Sequence, residues 1–248
     1  MEITELQKES YNDYPGKISS VIFTQGCNYN CGYCHNPELK SIRNGKISEE
    51  EVWKYLDSRK YWIGAIVLCG GEPTLQKDLP EFAKKAKEKG LAVKLDTNGS
   101  NPEMLKELLE KKLIDYVAMD VKAPTYFYPK VIGNDFDFWK NIRESMRVVS
   151  KFPNYEFRTT IAPILINGSL MFMDSEDVFN IAREIHETTW EDKHKYFLQP
   201  FLAIEKDGGN EIYLKKNLPK KMWKTPENLM EEAKKEAKKF LVNSEIRN

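Results

Sequence analysis

Two hydrophobic periods alternate along the 248-residue chain. Apolar-rich runs at Ile18–Phe23, Ile63–Leu68, Leu91–Leu95, Ile114–Met119, Tyr155–Ala162 and Lys195–Phe201 predict six strands. A run as continuous as Ile63–Leu68 is the pattern of a parallel strand buried on both faces. Helical repeats lie between the runs. Ser48 and Glu51 form a capping box ahead of Val52, Tyr55 and Leu56. A helix over Leu79–Lys89 stops at Gly90. Asn101 and Pro102 open the next, with Met104, Leu105, Leu108 and Leu109 as its apolar stripe. Phe138, Ile142, Met146 and Val149 mark another, and Asp174 opens a helix carrying Val178, Ile181, Ala182 and Ile185.

Strand and helix alternate six times, which calls for right-handed crossovers and a parallel sheet. Six units are too few for a closed eight-stranded barrel, so the expected fold is α/β, a partial, open (β/α)6 parallel barrel. Residues 203–224 are Lys-rich, without clear period, and read as loop. Thr225-Pro226 begins a last helix with Leu229, Ala233, Ala237 and Phe240 on one side. The expected organisation is a barrel over residues 1–202, with a loop and amphipathic helix over 203–248 packed on the same domain.

Composition narrows the function. Lys plus Arg and Asp plus Glu both number 38, so zero net charge argues against nucleic acid as a partner. No secretory signal is read at the start and no apolar run is long enough to span a membrane. Four cysteines in that setting read as cytosolic thiols or metal ligands, and a cytoplasmic location is expected.

Cys27, Cys31 and Cys34 fall within eight residues, spaced C-x3-C-x2-C, directly after the first predicted strand. Such a loop can hold a four-iron cluster with one iron left open. A structural zinc site of Cys3His type, with His35 as the fourth ligand, and a chance grouping are the other readings. The remaining polar clusters also fall at strand ends, where parallel barrels place their active sites. They are Gly70-Gly71-Glu72-Pro73, Asp96-Thr97-Asn98-Gly99, and Asp120 with Lys122. Each has a plain reading: a glycine turn, an Asx turn, and an ion pair along one strand face. Arg158, in a predicted buried strand, needs a partner carboxylate or a ligand. Cys69 reads as an inert small apolar residue, and His186 and His194 as surface residues.

The cysteine spacing with aromatic Tyr33 before Cys34 resembles the radical S-adenosylmethionine (SAM) superfamily. The string Gly26–Pro37 resembles its glycyl-radical-enzyme activases, and the closest resemblance is to anaerobic ribonucleoside-triphosphate reductase activating proteins. Asp13–Lys17, Gly70–Leu75, Lys94–Asn101, Asp115–Asp120 and Tyr155–Thr160 extend it over about two thirds of the chain. The resemblance implies the same six-unit barrel, a 4Fe–4S cluster on Cys27, Cys31 and Cys34, and SAM on its open iron. It implies SAM contacts from Tyr33, Gly70, Gly71, Glu72, Asp96, Asn98, Asp120, Lys122 and Arg158. Where some activases carry a histidine after the last strand, this chain has Leu202. The implied activity is hydrogen abstraction from a glycine of a partner glycyl-radical enzyme, with flavodoxin or ferredoxin as electron donor. A radical SAM enzyme acting on a small nucleoside or cofactor precursor would share these motifs. A non-enzymatic iron–sulfur or zinc binding module is the reading from another class.

Overall fold

The computed structural model describes residues 1–133, 138–166, 168–203 and 213–247. Strand β1 (Ile3–Ser10) runs antiparallel to β2 (Ser19–Thr24), which leads through the cysteine loop to α1 (Glu49–Ser58). Then follow β3 (Ala65–Gly70), α2 (Leu79–Glu88), β4 (Ala92–Thr97), α3 (Pro102–Glu110) and β5 (Tyr116–Asp120). Short α4 (Tyr128–Ile132) and α5 (Trp139–Val149) precede β6 (Tyr155–Ile161). A hairpin of β7 (Pro163–Ile166) and β8 (Ser169–Phe172) leads into α6 (Ser175–Thr189) and β9 (Lys195–Pro200). Last come α7 (Glu227–Ala237) and β10 (Asn243–Ile246).

The sheet order β1-β2-β3-β4-β5-β6-β9-β10 is open, and from β2 to β10 every pairing is parallel. The six predicted strands are its centre. Four of them run one or two residues further than expected, so Thr24, Cys69-Gly70, Asp96-Thr97 and Asp120 belong to the strands themselves. The capping box is present on α1, and the Asn101 side chain accepts from Met104 N–H at the start of α3. Asp174 caps α6 with a box of its own. Gly90 takes φ +80, a left-handed conformation open to glycine without strain.

Residue alternation divides the core in two. Ile22, Ile66, Leu68, Leu95, Phe157 and Leu198 face the helices in one large buried cluster. Each such side chain contributes roughly 1.5–3 kcal/mol on burial. The opposite phase fills the lower lumen with Val21, Ala65, Val67 and Tyr116, and Tyr14 plugs it from the β1–β2 turn, its ring 6.2 Å from Tyr116. Glu156 is fully buried there. It accepts from Arg247 Nη1 and Nη2 (2.5 and 2.8 Å) and from the Tyr116 hydroxyl (2.5 Å).

Some expectations need correction. β1, β10, the β7–β8 hairpin and α4 were not expected. β10 makes the C-terminal region part of the main sheet as well as a helix upon it. Of the expected loop over 203–224, residues 204–212 lie outside the described residues, and Lys220–Met222 forms a short 3-10 turn. His194 is buried at 1% exposure, not on the surface. Its Nδ1 pairs with the Tyr155 hydroxyl and its Nε2 with the Thr189 hydroxyl, both at 2.7 Å. Burial holds its pKa below the usual histidine value.

Candidate active site

The cysteine loop is closed at its base by backbone bonds from Gly26 N–H to Leu39 C=O (2.8 Å) and Cys27 N–H to Lys40 C=O (3.1 Å). Buried Gln25 ties the closure down, donating to the Glu38 and Ser41 carbonyls (3.0 and 2.6 Å). Lys40 reaches across the loop to the Cys31 carbonyl at 2.8 Å. The end of β3 packs directly beneath. A β-carbon on Gly70 would strike the Thr24 backbone, and one on Gly71 the Gly26 carbonyl. The close approach that these glycines permit is therefore made to protein backbone, and Glu72 N–H seals it by donating to Gly26 C=O at 2.8 Å.

All twelve residues picked out from the sequence as ligands or SAM contacts line one cavity of about 360 Å³. Glu72 is buried within it, and burial pushes its pKa up. Its Oε1 accepts from Thr74 N–H (3.1 Å), the Thr74 hydroxyl (2.6 Å) and the Thr97 hydroxyl (2.8 Å), and its Oε2 from Asn98 N–H (2.7 Å). A carboxylate has about four acceptor positions, two on each oxygen, so Oε2 keeps capacity for one more donor.

A row of alternating charges crosses the lumen below. Lys94 Nζ donates to Asp96 Oδ1 at 2.6 Å. Arg158 bridges Asp96 (3.1 Å) and Asp120 (2.9 Å), and Lys122 donates to Asp120 at 3.1 Å. Burial would raise the Asp120 pKa, but Arg158 and Lys122 override it and hold the carboxyl at about 2. Three cations face two carboxylates, so the row carries one positive charge in excess and favours a ligand with an anionic group. Strand alternation had put Asp120 and Lys122 on one side, and they are. Lys94 was missed, although it sits two residues before Asp96 in a buried strand and so points the same way.

Three cysteines in one loop suit a four-iron cluster, whose usual ligand is cysteine. Among the described residues no three His, Cys, Asp or Glu side chains are drawn together as they would be around one metal ion. The three thiols still line one cavity. Burial pushes Cys27 up to about 11 and raises Cys31, so both would be neutral thiols without a metal to displace their protons. Donors already point at Cys27 Sγ: Tyr29 N–H at 3.4 Å and the Asn98 side-chain amide at 3.9 Å. Such donors to sulfur are among the groups that tune iron–sulfur clusters. Cys69 also faces the cavity, but burial and Asp96 push its thiol up to about 12.

The Radical SAM superfamily model matches residues 21–170. The chain belongs to the radical SAM superfamily. A Methanocaldococcus jannaschii protein provisionally named a glycyl-radical enzyme activating enzyme is 39% identical over 240 residues, covering 95% of this chain and 91% of that one. The pyruvate formate-lyase-activating enzyme of Streptococcus mutans is 39% identical over 122 residues, 44% of this chain and 46% of its own. Among solved structures, Streptococcus suis SuiB superposes with a TM-score of 0.62 over 92% of this chain and 48% of that one; at 15% identity this speaks for the fold. The chain is thus a radical SAM enzyme, and the superfamily's 4Fe–4S cluster and SAM are its cofactors. Among the described residues no helix is long and apolar enough to cross a membrane.

Proposed function

We propose that this radical SAM enzyme is an activase, removing a hydrogen from a glycine Cα of a glycyl-radical enzyme. The observation that carries the reading is the 39% identity to the Methanocaldococcus jannaschii protein across nearly the whole of both chains. Cysteine number supports it: with three of four cysteines in one loop, a second cluster of the cysteine-ligated kind has too few ligands. Within this reading, anaerobic ribonucleoside-triphosphate reductase is the partner that the sequence resemblance favours, and flavodoxin or ferredoxin the electron donor.

Cys27, Cys31 and Cys34 hold the cluster in this reading. Bound together, the two cofactors supply a 5′-deoxyadenosyl radical. The chain's own residues hold and orient SAM. Lys122 and Arg158 offer donors to its carboxylate, the Gly70-Gly71 backbone and Glu72 Oε2 take its ammonium, and Asp96, Asn98, Asp120 and Tyr33 line the remainder. Orientation is where a protein contributes most to such chemistry, since 1 Å of misplacement can cost roughly 10²-fold in rate.

Anaerobic incubation with SAM, a reductant and candidate partners should produce a glycyl radical visible by EPR. Deuterium placed on the partner's glycine Cα should be recovered in 5′-deoxyadenosine. A second reading, a small-molecule substrate, draws on a Thermococcus kodakarensis protein provisionally named GTP 3′,8-cyclase, 28% identical over 46% of this chain and 38% of its own. Label transfer from a nucleotide and from no glycine-bearing partner would decide for that reading.

A further inference from the structure

Tyr29 lies in the cysteine loop between Cys27 and Cys31, lines the cavity and is 2% exposed. Its ring packs edge-on against Phe138, with centroids 5.3 Å apart. Its hydroxyl is buried and has no hydrogen-bond partner. Two other buried side-chain atoms among the described residues share that condition, Trp53 Nε1 and Ser145 Oγ, and neither belongs to the cavity wall. Burying a hydroxyl without a partner costs free energy, and phenylalanine would fill the same space without that cost. The ligand-free fold gives no reason for the oxygen. No cysteine sulfur is within reach of it, so the chain offers it no acceptor.

We propose that Tyr29 is a cofactor-binding residue whose hydroxyl donates a hydrogen bond to an acceptor brought by the bound cofactors, either a sulfur of the cluster or an oxygen or nitrogen of SAM. A phenol is protonated, and so a donor, throughout the working range of pH. If the acceptor is a cluster sulfur, the bond helps to set the reduction potential, which responds to hydrogen bonds at sulfur. If it is on SAM, the bond contributes to affinity. The inference rests on the cofactors and not on the substrate, so it stands or falls separately from the activase reading.

The test is Tyr29→Phe, which removes one oxygen and keeps the ring. Three quantities are read: the potential of the SAM-free cluster by EPR-monitored titration, the Kd for SAM, and the thermal midpoint of the cluster-free chain. A potential shifted to more negative values identifies a cluster sulfur as acceptor. An unchanged potential with a Kd raised about 2- to 10-fold, the loss expected for one neutral hydrogen bond, identifies SAM. Failure to load iron with the midpoint preserved also assigns the bond to the cluster. The cluster-free midpoint should stay level or rise. Unchanged potential and Kd would overturn the proposal, and a lowered midpoint beside them would assign the hydroxyl to the fold.

Discussion

The lower and upper halves of the barrel lumen are built from similar residue types and settle their charges differently. Below, Glu156 is satisfied within the chain by Arg247 and Tyr116, and Tyr14 closes the floor over apolar neighbours. Above, three cations share two carboxylates, Glu72 has acceptor capacity left, and the Tyr29 hydroxyl has no partner. A buried polar group completed by its own chain serves the fold, whereas one left incomplete in the cavity wall has capacity for a ligand. The half with unfinished hydrogen bonding is the half to which we assign the cofactors.

The largest effect should come from the cysteines. Replacing Cys27, Cys31 or Cys34 by Ala should abolish SAM cleavage and lower iron from about four atoms per chain, while Cys69→Ala keeps both; iron analysis and 5′-deoxyadenosine assay check this. Next, Lys122→Ala and Asp120→Asn should weaken SAM binding by about 1.5–3 kcal/mol per charge-assisted bond, with the cluster's EPR signal unaltered. Normal SAM affinity in both would place these residues with the lower lumen, as structure.

Arg247→Ala tests the lower half. Removing one partner of a buried pair costs about 3–5 kcal/mol, but Arg247 is 37% exposed and solvent screens it, so about 2 kcal/mol is expected. The pH dependence should change sign. Burial opposes ionisation of Glu156, yet Arg247 and Tyr116 depress its pKa, so the stabilisation is present above the unfolded value near 4.3 and is lost as pH falls through the folded pKa. Without Arg247, burial would dominate and raise that pKa, and this site should then gain stability on acidification. Denaturant midpoints between pH 3 and 7 would show it, with SAM affinity unchanged. The smallest effect is assigned to Lys94→Met, which leaves Asp96 with Arg158 and should weaken SAM by roughly 1 kcal/mol, measured as Kd.

How far the sequence reveals all this depends on where a residue's partners lie. The six central strands were legible because parallel strands covered on both faces must be apolar throughout. β1 was not: five of its eight residues are wholly or partly exposed, and Glu5, Gln7, Lys8 and Glu9 read as polar loop. β10 has four residues, two of them buried or half-buried beside polar ones, and owes its place to its register with β9. The rim residues were legible from their position at strand ends. The burial of His194 was not, since it depends on Tyr155, 39 residues away. Lys94 and Tyr29 share a different obscurity: the lysine's pairing with Asp96 and the tyrosine's unpartnered hydroxyl follow only from the fold around them.

The two edge strands have a mechanical consequence. In a closed barrel, widening the mouth means breaking a ladder of hydrogen bonds, because tension passes around the hoop. Here the hoop is split between β1 and β10, the first and last strands of the chain, with no pairing between them. Spreading the lips bends the sheet and ruptures no inter-strand bond. The first lip is already irregular, with register shifts near both ends of β1, and it carries charged side chains that discourage another strand from sealing it. The width of this seam is therefore set by the curvature of the sheet and not by a ladder of hydrogen bonds between β1 and β10.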